Sequence, residues 1–200
     1  MYRLYQHPGS GNCYKIQLLL ELLGLPYETV NVNILAGESR TPAFLAHNPV
    51  GKVPVLQIGS DDFLPESNAA LWYLAEGSRF LPADRRGRAE VVRWLSFEQY
   101  SHEPNVATAR FWIHFLGNPP QYAERLQEKQ EAGRHALRIM DDHLARADYF
   151  VGGGYSIVDI ALYAYTHVAD EADIELAPYP AILAWLARVG GEPGHVAMEY

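Results

Sequence analysis

Cysteine occurs once in this 200-residue chain, at Cys13. No internal disulfide can form, so a packed core must supply the stability, and a thiol-reducing compartment is the natural setting. Lysine is nearly as scarce, with Lys15, Lys52 and Lys129 the only three. No long basic run occurs and the formal charge is -8, which argues against nucleic acid and anionic membrane surfaces as partners. No run approaches the ~18 uninterrupted apolar residues that span a bilayer. The opening MYRLYQHPG has neither the basic start nor the apolar stretch of a secretion signal, so we expect a soluble protein that stays in the cytoplasm. The eight histidines form no H-E-x-x-H or comparable cluster, and with a single thiol no metal site is expected. A glycine-rich phosphate loop is absent as well. Small molecules and other proteins remain as partners.

Core-forming material is plentiful: 48% of the residues are apolar and 12% aromatic, enough for one compact unit or two small ones. Strand and helix signals alternate at first. Tyr2 to Gln6 reads as a strand, and Ile16, Leu19, Leu20 and Leu23 then recur at helical spacing until Gly24 and Pro26 stop them. Tyr27 to Val32 predicts a second strand, and Thr41-Pro42 opens a short helix through Ala46. VPVLQI (53–58) and DFL (62–64) predict two more strands before a helix over 66–77. From Gly87 onward apolar residues fall at helical intervals, with Glu103-Pro104 as a kink and Gly117 to Pro120 as a stop. We therefore expect an α/β domain over 1–77, a linker over 78–87 and an all-α helical domain over 88–200.

The stretch HPGSGNCYKI (7–16) places a hydroxyl, an amide and the only thiol where the first strand turns into a helix. Such a turn lies at the carboxyl end of the sheet, where unpaired backbone N–H groups of the helix N-terminus attract anions. Ser10 and Cys13 have the spacing of C-x-x-C, the thioredoxin-like redox pair, except that a hydroxyl stands first. A hydroxyl cannot exchange disulfides, but it can donate a hydrogen bond to a thiolate that a ligand brings. The same residues read equally as a plain helix cap with first-turn filler. Lys15 and Lys52 fall in the turns of this region, as cations for an anionic ligand or by chance.

Two more stretches bear on the choice. In NPVGKVPVL (48–56), a cis Val53–Pro54 bond would turn the Val53 backbone outward to pair with an extended peptide-like ligand; otherwise Pro54 is an ordinary edge-strand proline. In LPESNAALWYL (64–74), Glu66 and Ser67 open a helix that can bind a carboxylate through backbone N–H groups while Glu66 takes an amine; otherwise they are a simple cap. In their order and separation the three stretches resemble the glutathione transferases, and the resemblance covers essentially the whole chain. YSIVDIALYAY (155–165) is similar to that family's capping box, with Ser156 and Asp159 as reciprocal caps.

The resemblance implies a thioredoxin-like N-terminal domain, a helical C-terminal domain, and glutathione (γ-Glu-Cys-Gly) as co-substrate with no metal. By matching position, Ser10 with Gly11 would hold and activate the sulfur, assisted or replaced by Asn12. Val53 would pair with the cysteinyl backbone beside Pro54, Glu66 and Ser67 would bind the γ-glutamyl end, and Lys52 would reach the glycyl carboxylate. GESR (37–40) lacks the histidine that some serine-type classes carry, and Gly51 replaces another polar contact. Tyr100, His102 and Arg110, on the first long helix of the helical domain, are the candidates for the electrophile site. A homodimer is implied too. The implied reaction is conjugation of glutathione to a hydrophobic small-molecule electrophile; reduction of disulfides or peroxides, and a non-catalytic binding module, are the alternatives.

Overall fold

The computed structural model describes residues 1–200. The chain forms two units: Met1–Ser78 together with Pro193–Tyr200, and Arg79–Glu192. The first has the thioredoxin-like arrangement. Strand β1 (Tyr2–Gln6) leads into α1 (Gly11–Leu23), and β2 (Tyr27–Asn31) into the short α2 (Pro42–His47). A β-hairpin of β3 (Val55–Gln57) and β4 (Phe63–Pro65) precedes α3 (Ser67–Ala75). The sheet order is β2-β1-β3-β4, with β1 parallel to β2 and antiparallel to β3. Alternation along β1 assigns the two faces. Tyr5 packs with Phe44 of α2, Phe63 and Val55 on one side, while Leu4, paired with Leu56, is buried on the other.

Local signals account for the element ends. Ser10 caps α1, and Gly24 closes it in the left-handed conformation at φ 63°, which costs a glycine little. Thr41 accepts from Phe44 N–H and Pro42 opens α2. Strand pairing in the hairpin is narrower than the apolar run, because it begins only after Pro54.

In the second unit the helices are α4 (Arg85–Phe97), α5 (Glu103–Arg110), α6 (Ala123–Leu144), α7 (Ile157–Thr166) and α8 (Pro180–Gly190). The first helix starts inside the stretch read as linker, because Asp84 Oδ1 accepts from the N–H groups of Arg86 and Gly87 at 3.0 and 2.9 Å. Between α4 and α5 the chain passes through a π-helical segment, Glu98–His102, in which Glu103 N–H reaches Glu98 O. The cause is at hand: Pro104 has no N–H to give the carbonyl of Tyr100. A second π segment, Phe111–Phe115, follows α5. No helix is long and apolar enough to cross a membrane.

The last eight residues depart from the helical domain expected over 88–200. They belong with the first unit, where Gly9 N–H donates to Glu199 O and the buried Tyr14 hydroxyl to Val196 O, both at 2.7 Å. A buried hydroxyl needs an acceptor, and the returning backbone supplies it.

Asp159 is the polar centre of the helical unit. Fully buried, it accepts from Ser156 N–H and Oγ at 2.9 Å each, from Phe150 N–H at 3.2 Å and from Trp185 Nε1 at 3.1 Å. Ser156 in turn caps α7 by accepting from Val158 N–H, which completes the capping box. Burial pushes the Asp159 carboxyl from 3.8 up to about 6 against these four bonds. Asp159→Ala should lower the unfolding free energy by about 3 kcal/mol or more, since four buried donors lose their acceptor; urea titration measures it. A raised folded-state pKa adds stability that is present below about 4 and lost as pH climbs through about 6. The urea midpoint of the wild type should therefore rise relative to that of Asp159→Asn between pH 6 and pH 4.

Candidate active site

Strand register decides what meets at one end of the sheet. Strand β1 leaves the sheet after Gln6, and the pairing Tyr5↔Val55 brings β3 in at that end, so Val53 and Pro54 lie beside the exit of β1. The pairing Val55↔Pro65 brings β4 out there too, with Glu66 and Ser67 immediately following. The turn after β1, the Val53–Pro54 segment and the start of α3 are thereby gathered. The Val53–Pro54 bond is cis.

At the turn, Ser10 is half-buried and its Oγ accepts from Cys13 N–H at 3.4 Å. Gly11 is buried. Together they form the N-terminus of a 13-residue helix, whose unpaired N–H groups favour an anion. Cys13 faces inward. Its thiol is pushed up to about 11 by burial, against the pull of hydrogen bonds from Ser10 and His7 and of the Lys15 charge. A cleft of about 180 Å³ beside the turn is lined by His7, Ser10, Gln17, Asn31 and Tyr200 among others, but by none of Val53, Glu66 and Ser67. Of the three gathered segments it therefore touches only the turn after β1.

Asn12 connects the turn to α3. Its Oδ1 accepts from Lys15 Nζ at 2.7 Å and from Ser67 Oγ at 3.1 Å, and Lys15 Nζ is itself 3.4 Å from Ser67 Oγ. An asparagine amide has one acceptor oxygen and one donor nitrogen. With the oxygen so engaged, Asn12 can serve a ligand only as a donor. Lys15 is 0% exposed and so cannot reach a ligand as the surface cation that its position in the sequence suggested.

Glu66 is exposed, and its backbone sits at φ 71°, ψ 112°, a conformation that a β-carbon penalises. Buried Asn48 shapes the preceding turn: its Nδ2 donates to Lys52 O at 2.8 Å and its Oδ1 accepts from Val50 N–H at 3.0 Å. Lys52 is exposed. Arg40, which the sequence reading passed over, donates from Nη1 to Val50 O at 2.8 Å. A β-carbon at Gly51, φ 66°, would lie 2.6 Å from that nitrogen and 2.9 Å from Ser39 O. Gly51 thus admits a second cation beside Lys52, a role its lack of a side chain concealed.

The three candidates in the helical unit are not brought to a common surface. Tyr100 is 89% exposed. His102 is buried, with Nε2 at 2.9 Å from Thr166 Oγ1. The Thr166 hydroxyl hydrogen is committed to Leu162 O at 2.7 Å, so His102 is the donor. Arg110 is 2% exposed and pairs through Nε with Glu171 at 2.6 Å. Both side chains join helical segments of the unit, a departure from the expected substrate contacts, and helical spacing alone could not separate the inward from the outward positions around the π segments. No group of three or more His, Cys, Asp or Glu side chains is arranged to hold a metal ion.

Comparison with known proteins agrees with this architecture. Residues 1–76 match the family model of the glutathione S-transferase N-terminal domain, and residues 120–188 that of the C-terminal domain. Glutathione S-transferase 3 of Zea mays is 30% identical over 96% of this chain and 90% of its own length. The disulfide-bond oxidoreductase YfcG of Escherichia coli is 31% identical over 96% and 92%. A crystal structure of a glutathione S-transferase from Pseudomonas fluorescens superposes with a TM-score of 0.97 at 52% identity, covering 98% of both chains. On fold, family models and full-length relatives alike, the chain belongs to the glutathione S-transferase family.

Proposed function

We propose that the protein binds glutathione at the gathered end of the sheet, ionises its thiol and directs the thiolate at a hydrophobic electrophile. The observation that carries this reading is the 3.1 Å bond between Asn12 Oδ1 and Ser67 Oγ. It sets the helix N-terminus suited to a thiolate one side chain away from the helix N-terminus suited to a carboxylate. In this reading the glutathione sulfur lies at the turn after β1, where Ser10, Asn12 and the dipole of α1 favour its charge. The cysteinyl backbone pairs with Val53 beside Pro54. Glu66 takes the γ-glutamyl amine, Ser67 and the start of α3 take its carboxylate, and Lys52 with Arg40 takes the glycyl end.

The electrostatics suffice for the task. A free thiol near pKa 8.5 is only a few per cent ionised at pH 7, and lowering it by about two pH units, ~2.7 kcal/mol, makes thiolate the major form. One charge-assisted hydrogen bond with a helix end supplies energy of that order. Rate then comes from thiolate stabilisation and proximity. The chain acts in the cytoplasm as a serine-type, bacterial-like homodimer that detoxifies electrophiles. A second reading, favoured by the Escherichia coli oxidoreductase relative, has the bound thiolate attack a disulfide sulfur and expel the other sulfur as thiolate. Rates with 1-chloro-2,4-dinitrobenzene, a small disulfide and cumene hydroperoxide decide between the two.

Titration of the glutathione complex near 240 nm should show its thiol ionising well below the free tripeptide. Ser10→Ala and Asn12→Ala should each raise that pKa by about one pH unit; a thiol that ionises in the complex as it does in buffer defeats the proposal. Cys13→Ser should leave conjugation intact. With the native thiol near 11, roughly 0.1% is thiolate at pH 8, so iodoacetamide should label Cys13 slowly until the protein unfolds. Fast labelling of the folded protein would reopen a redox role for it.

A further inference from the structure

A lysine with no exposed surface is an expensive choice, because an ammonium taken from water costs several kcal/mol unless well-placed acceptors compensate it. Methionine would fill the same length of helix without that cost. Lys15 stands three residues after Asn12 on α1, hence on the same face, and its Nζ meets Asn12 Oδ1 at 2.7 Å and Ser67 Oγ at 3.4 Å. The third side of this triangle is the 3.1 Å bond from Ser67 Oγ to Asn12 Oδ1. Every corner has a chemical consequence. A cation on the amide oxygen polarises the group and makes its N–H a stronger donor. The same cation behind the Ser67 hydroxyl raises the local potential where α3 begins.

We infer that Lys15 is a positioning residue that couples the two ends of the glutathione site: through Asn12 it acts on the sulfur, and through Ser67 on the γ-glutamyl carboxylate. The inference rests on the proposed glutathione site and adds a connection between its ends. When a carboxylate at the start of α3 draws the Ser67 hydroxyl to itself, Asn12 Oδ1 loses one of its donors and depends more on Lys15. Occupation of one end thus changes the donor strength at the other. Lys15 touches neither the sulfur nor the carboxylate, which is why it is a positioning residue and not a catalytic one.

The test uses the full-length protein in five forms: wild type, Lys15→Met, Ser67→Ala, Asn12→Ala, and Lys15→Met combined with Asn12→Ala. Calorimetry with glutathione and with S-methylglutathione gives affinity, and absorbance near 240 nm gives the pKa of the bound thiol. Lys15→Met should raise that pKa by about one pH unit and weaken S-methylglutathione binding several-fold. Ser67→Ala removes one oxygen and is expected to fold even if Lys15→Met does not; it should raise the thiol pKa measurably from the far end of the site. The double variant should match Asn12→Ala alone, since Lys15 acts on the sulfur through that amide. A lower melting temperature with an unchanged thiol pKa in Lys15→Met would reduce Lys15 to a structural role and overturn the inference, as would an unchanged pKa in Ser67→Ala or additive shifts in the double variant. If the wild type itself binds no glutathione, the functional proposal fails first, and that outcome is distinct from the others.

Discussion

Two neighbours of opposite direction flank β1, and this pairing governs what the first unit can do. Parallel β2 needs a crossover helix, which sets α1 directly after the exit of β1. Antiparallel β3 must instead come in where β1 leaves, and β4 must go out there again. A sheet with only one of these pairings would scatter the three segments along its length. With both, a helix N-terminus, an outward-turned backbone and a second helix N-terminus share one edge, before any side chain has been specified.

Side chains then refine a placement that the backbone has made. Asn12, Lys15 and Ser67 close a polar triangle between α1 and α3, and Asn48 folds the 48–52 turn by bonding its neighbours' backbone. Gly51, with no side chain, leaves Arg40 room to reach that turn. Cys13 carries the opposite lesson. It sits three residues after Ser10, in the second position of a redox spacing, yet burial holds it as an ordinary core thiol.

How far the sequence foretold this differs by element. Strand β1 and the helices carry local periodicity, and α1, α2, α4 and α7 have side-chain caps as well, so their existence follows from residue order. The segments around Ser10, Val53-Pro54 and Glu66-Ser67 were recognisable because backbone chemistry at each of them depends on particular residues. Lys15 was left open between a ligand cation and chance, since its position next to a helix end says nothing about the depth at which it lies. The burial of His102 and Arg110 was not legible for a related reason: a stretch with a proline at 104 does not keep the α-helical phase, so counting by 3.6 residues does not separate inward from outward positions. The return of residues 193–200 to the first unit had no local signal at all, because the Tyr14 hydroxyl and the Val196 carbonyl lie 182 residues apart.

The π segment between α4 and α5 has a consequence for comparing this chain with its kin. It holds an additional residue within what would otherwise be a regular turn, so the spiral resumes in α5 about 100° out of step with α4, whereas Phe111–Phe115 ends its helix at the turn of Leu116. A relative that lacks it should align with a single-position gap in mid-helix, far from any loop. Insertions and deletions in this stretch therefore mark rotations of a helix surface and not changes in connection length.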